Sequence, residues 1–496
     1  MNDETSQKKP NILFIFTDQL RGDSIGVEPN SQVITPNLDR LAGEGVSFSR
    51  CMGNAPLCVP ARSALMTGQL IRENGIWSNR IGADPNGPSH VRNIRDGGYR
   101  TAVIGKTHLW RHSAAGKPGQ HVKEMEHNLR DWGFEYTHEL NDPIETAWMG
   151  CHYTDYLKDK GWLDEHRRYI QSWVEEMRTG NITPWGQEPA PVPEGEDIDS
   201  YIGRTACEWI RDYGDDRPFY LQVQFTGPHD PFDGPQPYRD RYDPSQLEVG
   251  LDEPHEPPTG AIAALWQRAP SVHKATRYQR QRWRAWYYAN ITLIDDWIGK
   301  ILDQLESKGE LDNTWIVFNS DHGEMLGDHG LSSKAVFYEQ AVRVPCILRP
   351  PNGTANGLRS DAFVEHIDLP VTMIEIANAK PLQNSLGRSL LNFVSGTDAG
   401  NSDKNGKKAV ISELFGQTTV ITGEYKITVR IDDHRVAQLF DLTRDPHELR
   451  NVRNEQEYKQ TIADLVEQFV VPIDERIDQP GLSDYRDYVR RTGSVN

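Results

Sequence analysis

The chain has 496 residues, 72 acidic against 54 basic, and a formal net charge of −18. An excess of that size excludes a general nucleic-acid binder and a binder of anionic membranes, because both polyanions would repel it. Hydrophobic content of 37% and charged content of 25% fit a folded globular protein, and five scattered cysteines with no C-x-x-C pair exclude a disulfide framework.

The opening residues do not read as a signal peptide. The first apolar run, 12–16, is too short for a signal core or a membrane span, so a cytoplasmic address is expected. Residues 11–16 are continuously apolar and rich in β-formers, which predicts a strand buried on both faces of a parallel sheet. Residues 36–42 read as a helix with Thr35 as N-cap and Pro36 at its first position. Further strands are predicted at 99–104, 219–225 and 314–318, with a helix over 202–213 before the second of these. A longer helix over 287–306 places Ile291, Ile294, Ile298, Ile301, Leu302 and Leu305 at helical spacing, and Gly309 stops it. Strands alternating with helices predict an α/β sandwich built on a large, mostly parallel sheet.

Two stretches, 112–200 and 230–282, break the rhythm with Trp, Tyr, His, Pro and charges. They are expected to be long loop insertions that wall the substrate. Near 385 the pattern changes to short strands at 410–414, 419–421, 425–429 and 437–441, followed by a helix over 455–470. The expectation is a catalytic domain over 1–385 and a C-terminal α+β subdomain over 386–496, with a small antiparallel sheet.

The chemistry starts at Cys58-Val-Pro-Ala-Arg-Ser-Ala-Leu-Met-Thr-Gly68. Pro60 suits the first turn of a helix, which puts Cys58 at the helix entrance, where free N–H groups favour anions. Arg62, one turn on, adds a positive fork. An isolated cysteine here would ordinarily be a small buried side chain. The whole segment, however, resembles the type I sulfatase signature, Cys-x-Pro-x-Arg followed by Thr-Gly. In that family, part of the alkaline phosphatase-like superfamily, a maturase oxidises the cysteine to Cα-formylglycine, and Ala61 stands where many members have Ser.

The other landmarks of the family occur in order. Residues 11–18 resemble its opening strand, and Thr35-Pro-Asn-Leu-Asp-Arg-Leu its first helix. Gly105-Lys-Thr-His108 is similar to its Gly-Lys-x-His element, and Gly227-Pro-His-Asp230 to the element with a catalytic histidine. Ser320-Asp-His-Gly-Glu-Met-Leu-Gly-Asp-His329 resembles its second metal loop, Lys334 its late lysine, and Leu439-Phe-Asp-Leu-Thr-Arg-Asp-Pro-His-Glu448 its C-terminal ending.

A metal site is also expected from the residues themselves. Asp18 ends one predicted strand, and Asp321 with His322 ends another, on the edge where open α/β sheets gather ligands. Asp18, Gln19, Asp321 and His322, with the modified position 58, offer an oxygen-rich site for a divalent cation. Many relatives have Asp where this chain has Gln19, and Asn where it has His322. Ca²⁺ is the first choice, and the nitrogen ligand makes Mn²⁺ the alternative.

The resemblance implies a sulfate ester as substrate, whether aryl, alkyl or carbohydrate. One hydroxyl of the hydrated formylglycine attacks sulfur while the metal, Arg62, Lys106 and Lys334 neutralise the nonbridging oxygens. His229 or Lys334 protonates the departing alcohol, and His108 takes a proton from the second hydroxyl to expel sulfate and restore the aldehyde. The competing reading is a phosphonate monoester or phosphodiester hydrolase of the same superfamily, which the Gly105–His108 element disfavours. His329 and Asp328 are expected to be structural, Asn79 is a lesser candidate for the bound anion, and Trp148, His152, Tyr153 and Trp162 are candidate pocket walls.

Overall fold

The apolar run near the N-terminus folds as strand β1 (Asn11–Thr17), and all seven of its residues are buried. Its alternate side chains feed two cores, which is why the sequence shows no polar alternation. Leu13 and Ile15 pack with the helices Ile198–Asp212 and Arg277–Ser307. Ile12, Phe14 and Phe16 pack on the other face with the helices His90–Asp96 and Asp368–Ala377. The computed structural model describes residues 8–29, 32–110, 120–179, 188–251, 272, 275–394 and 406–476.

The remaining strands of this sheet are β2 (Val46–Met52), β3 (Arg100–Gly105), β4 (Tyr136–Glu139), β5 (Phe219–Gln224), β6 (Thr314–Ser320), β7 (Arg343–Val344), β8 (Cys346–Arg349) and β9 (Leu358–Glu365). Their order is β4-β3-β5-β1-β6-β8-β2-β7, with β9 beside β2. The block from β4 to β6 is parallel, while β8 runs antiparallel to β6. Gly105 and Phe16 both pair with Gln224, and Thr17 pairs with Ser320, so the carboxyl ends of β1, β3, β5 and β6 finish together. The loops leaving these four strands therefore start from one edge of the sheet.

The predicted strands are found within a residue or two of their expected ends. The two stretches read as loops are different. The first contains the helices Glu126–Trp132, His152–Lys160 and Leu163–Thr179. In the last of these Ile170, Trp173 and Val174 are buried against Ala147, an apolar face masked in the sequence by surrounding charges. In the second stretch the long helix starts at Arg277, ten residues before its expected position, with Thr276 as a capping box partner of Gln279. Its early turns bury Trp283, Arg284 and Trp286 on several sides, so they lack the one-sided stripe that marks a surface helix. Residues 112–119, 180–187, 252–271 and 273–274 of these stretches lie outside the described residues.

Near the C-terminus β10 (Ala409–Leu414), β11 (Gln417–Thr422), β12 (Tyr425–Arg430) and β13 (Val436–Asp441) form an antiparallel meander in chain order. The helix expected at 455–470 begins as a 3₁₀ turn at Gln456–Tyr458. It then runs through Lys459–Leu465, widens to a π-turn at Val466–Val470 and ends at Arg476. Val420, Ile427, Leu439 and Leu465 share a core with Ala61, Ala64 and Ile71, so this layer backs the helix that carries Cys58. Among the described residues no helix is long and apolar enough to cross a membrane.

Candidate active site

Cys58 is the first residue of the helix Cys58–Thr67, which is buried along its whole length and closed by Gly68 at φ +67°. Pro60 sits in the first turn, where no intrahelical N–H partner is needed. Asn79 Oδ1 accepts the Val59 N–H at 3.0 Å and so caps this helix. The Cys58 thiol lies 3.1 Å from His322 Nε2 and 3.9 Å from Asp18 Oδ1.

Asp18 leaves β1, and Asp321 and His322 leave β6. Between them Gln19 adopts φ +70°, which lets its N–H donate to Asp321 Oδ1 at 3.0 Å while Tyr287 donates to its carbonyl at 2.7 Å. His322 Nδ1 faces the Gly323 carbonyl at 2.9 Å; a carbonyl only accepts, so Nδ1 carries the hydrogen. Burial lowers the His322 pKa, which leaves Nε2 with a lone pair for Cys58 or a cation. Asp18, Cys58, Asp321 and His322 each offer one ligand atom, all within 4.8 Å of one another and all buried.

Cationic side chains surround this cluster. The guanidinium of Arg62 braces the two carboxylates. Nε donates to Asp321 Oδ2 at 2.9 Å, Nη2 to Asp18 Oδ2 at 3.0 Å, and Nη1 to Gln224 Oε1 at 2.7 Å and to the Lys106 carbonyl. Lys106 Nζ lies 2.5 Å from Asp18 Oδ2 and 2.6 Å from Asp142 Oδ2. Burial opposes ionisation of Asp18, yet Lys106, His229, Arg62 and Lys334 hold its carboxyl well below the usual range. Lys334 donates to Gln19 Oε1 at 2.5 Å, and Gln19 Nε2 donates to Asp230 at 3.1 Å and Glu324 at 2.5 Å.

His229 and His108 arrive on two loops beyond β5 and β3. His229 Nδ1 donates to the Asp230 carbonyl at 2.8 Å, and Nε2 lies 3.6 Å from Asp142 Oδ2. Although burial works against it, Asp142, Asp230 and Asp18 raise His229 to about 9. His108 follows Gly105 at φ +111° and itself sits at φ +49°. Glu139 Oε1 accepts the Thr107 N–H at 2.8 Å, and burial raises Glu139 to about 8.

Other sequence candidates lie in the packing. His329 stacks on Tyr338 with ring centroids 4.0 Å apart, and Asp328 pairs with Arg21 at 2.8 Å. His152 stacks on His138 and binds Glu126, the Tyr153 hydroxyl donates to the Glu196 carbonyl, and Trp148 and Trp162 pack partly buried against apolar clusters. Sequence reading missed Asp142, Glu139 and Gln224. Of these, Gln224 carries a usable signal, as a polar residue at the carboxyl end of a buried strand.

A family model described as sulfatase matches residues 10–379, and one for the C-terminal part of N-sulphoglucosamine sulphohydrolase matches 327–474. The chain belongs to the sulfatase family. Arylsulfatase of Clostridium perfringens is 28% identical over 92% of this chain and 92% of its own. Choline-sulfatase of Rhizobium meliloti is 30% identical over 90% of this chain and 82% of its own. Among solved structures, the phosphonate monoester hydrolase of Agrobacterium radiobacter superposes with a TM-score of 0.76 at 22% identity, covering 95% of this chain and 96% of that one, which shows the shared fold. This sulfatase is a sulfuric ester hydrolase.

Proposed function

We propose that the enzyme works through formylglycine at position 58 and one divalent cation, acting on an aryl, alkyl or carbohydrate sulfate. The supporting observation is the position of Cys58: first in a buried helix, within reach of two carboxylates and an imidazole whose lone pair is turned toward it. Asp18, Asp321 and His322 would hold the cation, with the Gln19 amide oxygen as a further donor. Ca²⁺ is our first assignment and Mn²⁺ the alternative. Bound there, the cation supplies Lewis acidity to the sulfate oxygens. The hydrated formylglycine, made by a maturase, supplies one hydroxyl as nucleophile and a second whose deprotonation releases sulfate by C–O cleavage.

The remaining roles fall to side chains of this chain. Lys106 and Lys334 hold the anionic oxygens, while Arg62 fixes Asp18 and Asp321. His229 keeps a proton on Nε2 for the leaving oxygen, and His108 accepts one from position 58. We assign these roles to a catalytic domain over 1–385, with 386–496 as a supporting subdomain.

Two measurements test this reading. Peptide mass spectrometry over 51–72, on protein co-produced with a maturase, should find the aldehyde at position 58; an unaltered cysteine would overturn the mechanism. Turnover of an aryl sulfate should exceed that of a phenyl phosphonate, and the reverse order would favour the phosphonate hydrolase reading.

A further inference from the structure

Asp142 reaches the site from outside every motif of the sequence. It lies beyond β4 in the segment Asn141-Asp-Pro-Ile and is buried. Its Oδ1 accepts the Ile144 N–H at 3.1 Å, which sets the plane of the carboxylate. Oδ2 then stands 2.6 Å from Lys106 Nζ and 3.6 Å from His229 Nε2. A carboxylate beside a sulfate site repels the substrate, so its presence between two cations needs a reason.

The ring of His229 shows what that reason is. Nδ1 carries its hydrogen toward the Asp230 carbonyl, so Nε2 is the nitrogen that exchanges a proton. Several charged groups face the ring. Asp142, Lys334, Asp230 and Asp18 all act on it; Lys106 bridges Asp142 and Asp18, and Gln19 joins Lys334 to Asp230. Asp197, Asp199, Asp233 and His166 line a small cavity that His229 also lines. Asp199 is turned to the N–H groups of Thr226 and Gly227, and Asp197 caps a helix through Ser200. Asp142 Oδ2 faces Nε2 at 3.6 Å, whereas the Asp230 carboxylate faces the other nitrogen, with Oδ1 3.4 Å from Nδ1.

We propose that Asp142 is a positioning residue of the sulfatase reaction, which keeps His229 Nε2 protonated and aimed at the leaving oxygen while anchoring Lys106. This rests on His229 being the general acid. In that step the bond between sulfur and the ester oxygen breaks, its electron pair stays on the oxygen, and the Nε2 proton moves there. His229 ends neutral and takes a proton from solvent before the next turnover. Its raised pKa, to which Asp142 is the largest upward contributor, agrees with this role.

The need for a proton depends on the leaving group, so the role can be separated from a structural one. A nitrophenolate leaves well without protonation, whereas an alkoxide does not. For Asp142→Asn, kcat on an alkyl sulfate should fall at least about tenfold further than on 4-nitrophenyl sulfate. The alkaline limb of kcat/KM should move down by about one pH unit or more, and Asp142→Glu should restore both. Equal losses on the two substrates with an unmoved limb would overturn the proposal. A wild-type enzyme that turns over neither of these substrates nor a carbohydrate sulfate would sink the reading beneath it, and the proposal with it. If Asp142→Asn does not fold, the wild type decides through diethyl pyrocarbonate modification of His229. A midpoint raised clearly above the ordinary 6.5 supports the proposal, and one at or below 6.5 overturns it.

Discussion

Arg62 joins elements far apart in the chain: Asp18 after β1, Asp321 after β6, Gln224 at the end of β5 and the Lys106 carbonyl after β3. One planar fork satisfies four acceptors, which a lysine cannot do with a single point charge. Arg62→Lys should therefore leave the cationic balance intact but let the two carboxylates separate. Changes of this kind, in groups that hold metal ligands, cost about 10–100-fold in metal affinity. After chelation, the metal concentration that restores half of the activity should rise by that factor; an unchanged requirement would refute the bracing role. The signature cysteine, the arginine and Lys106 stand out in the sequence because each sits in a contiguous motif, whereas Lys334 stands alone after the second metal loop. Asp142 does not stand out, because it lies in a stretch without periodicity and acquires its neighbours only when β3 and β5 bring Lys106 and His229 to it.

Strand β3 shows how an element positions chemistry. Its last residue, Gly105, lies at φ +111°, and a Cβ there would sit 1.9 Å from the Gln224 carbonyl oxygen of β5. That closeness fixes where Lys106, Thr107 and His108 leave the sheet. Gly98, just before the strand, also has positive φ (+95°), but a Cβ there would meet nothing within 4 Å. Gly98→Ala should cost only the backbone strain, about 1–3 kcal/mol, and keep activity. Gly105→Ala adds a clash with the backbone and should abolish turnover as well as lowering the melting temperature. Comparable activity in the two variants would show that β3 does not set the loop. The β-strands around this point were readable because a buried parallel strand is a plain apolar run. The early turns of the helix Arg277–Ser307 were not, since a helix buried on several sides loses its stripe and looks like an aromatic loop.

At the scale of the whole molecule, the buried titratable groups predict an asymmetric response to pH. His90, His166, His329 and His366 are lowered by burial to about 4, and His138 to about 3. Unfolding lets them take up protons below about 6.5, so they remove stability as pH falls from there. Buried carboxyls act in the opposite sense. Burial raises Asp199 and Asp233 to about 7, and Glu139 and Glu145 to about 8; the folded state keeps protons that the unfolded chain releases. Their stabilisation is complete below about pH 4 and is lost as pH rises through those values. His229, raised to about 9, loses its contribution over the window from 6.5 to 9. Below pH 6.5 the two sets oppose each other. Above it the histidine gain is finished and the losses continue, at about 1.4 kcal/mol per pH unit for each proton the folded state retains. The net charge of −18 adds growing self-repulsion in the same direction. With metal concentration held constant, the melting temperature should fall steadily from pH 6.5 to 9, and Glu145→Gln should make that fall shallower. A melting temperature that is flat or rising over this interval would mean that the buried carboxyls are ionised in the folded enzyme.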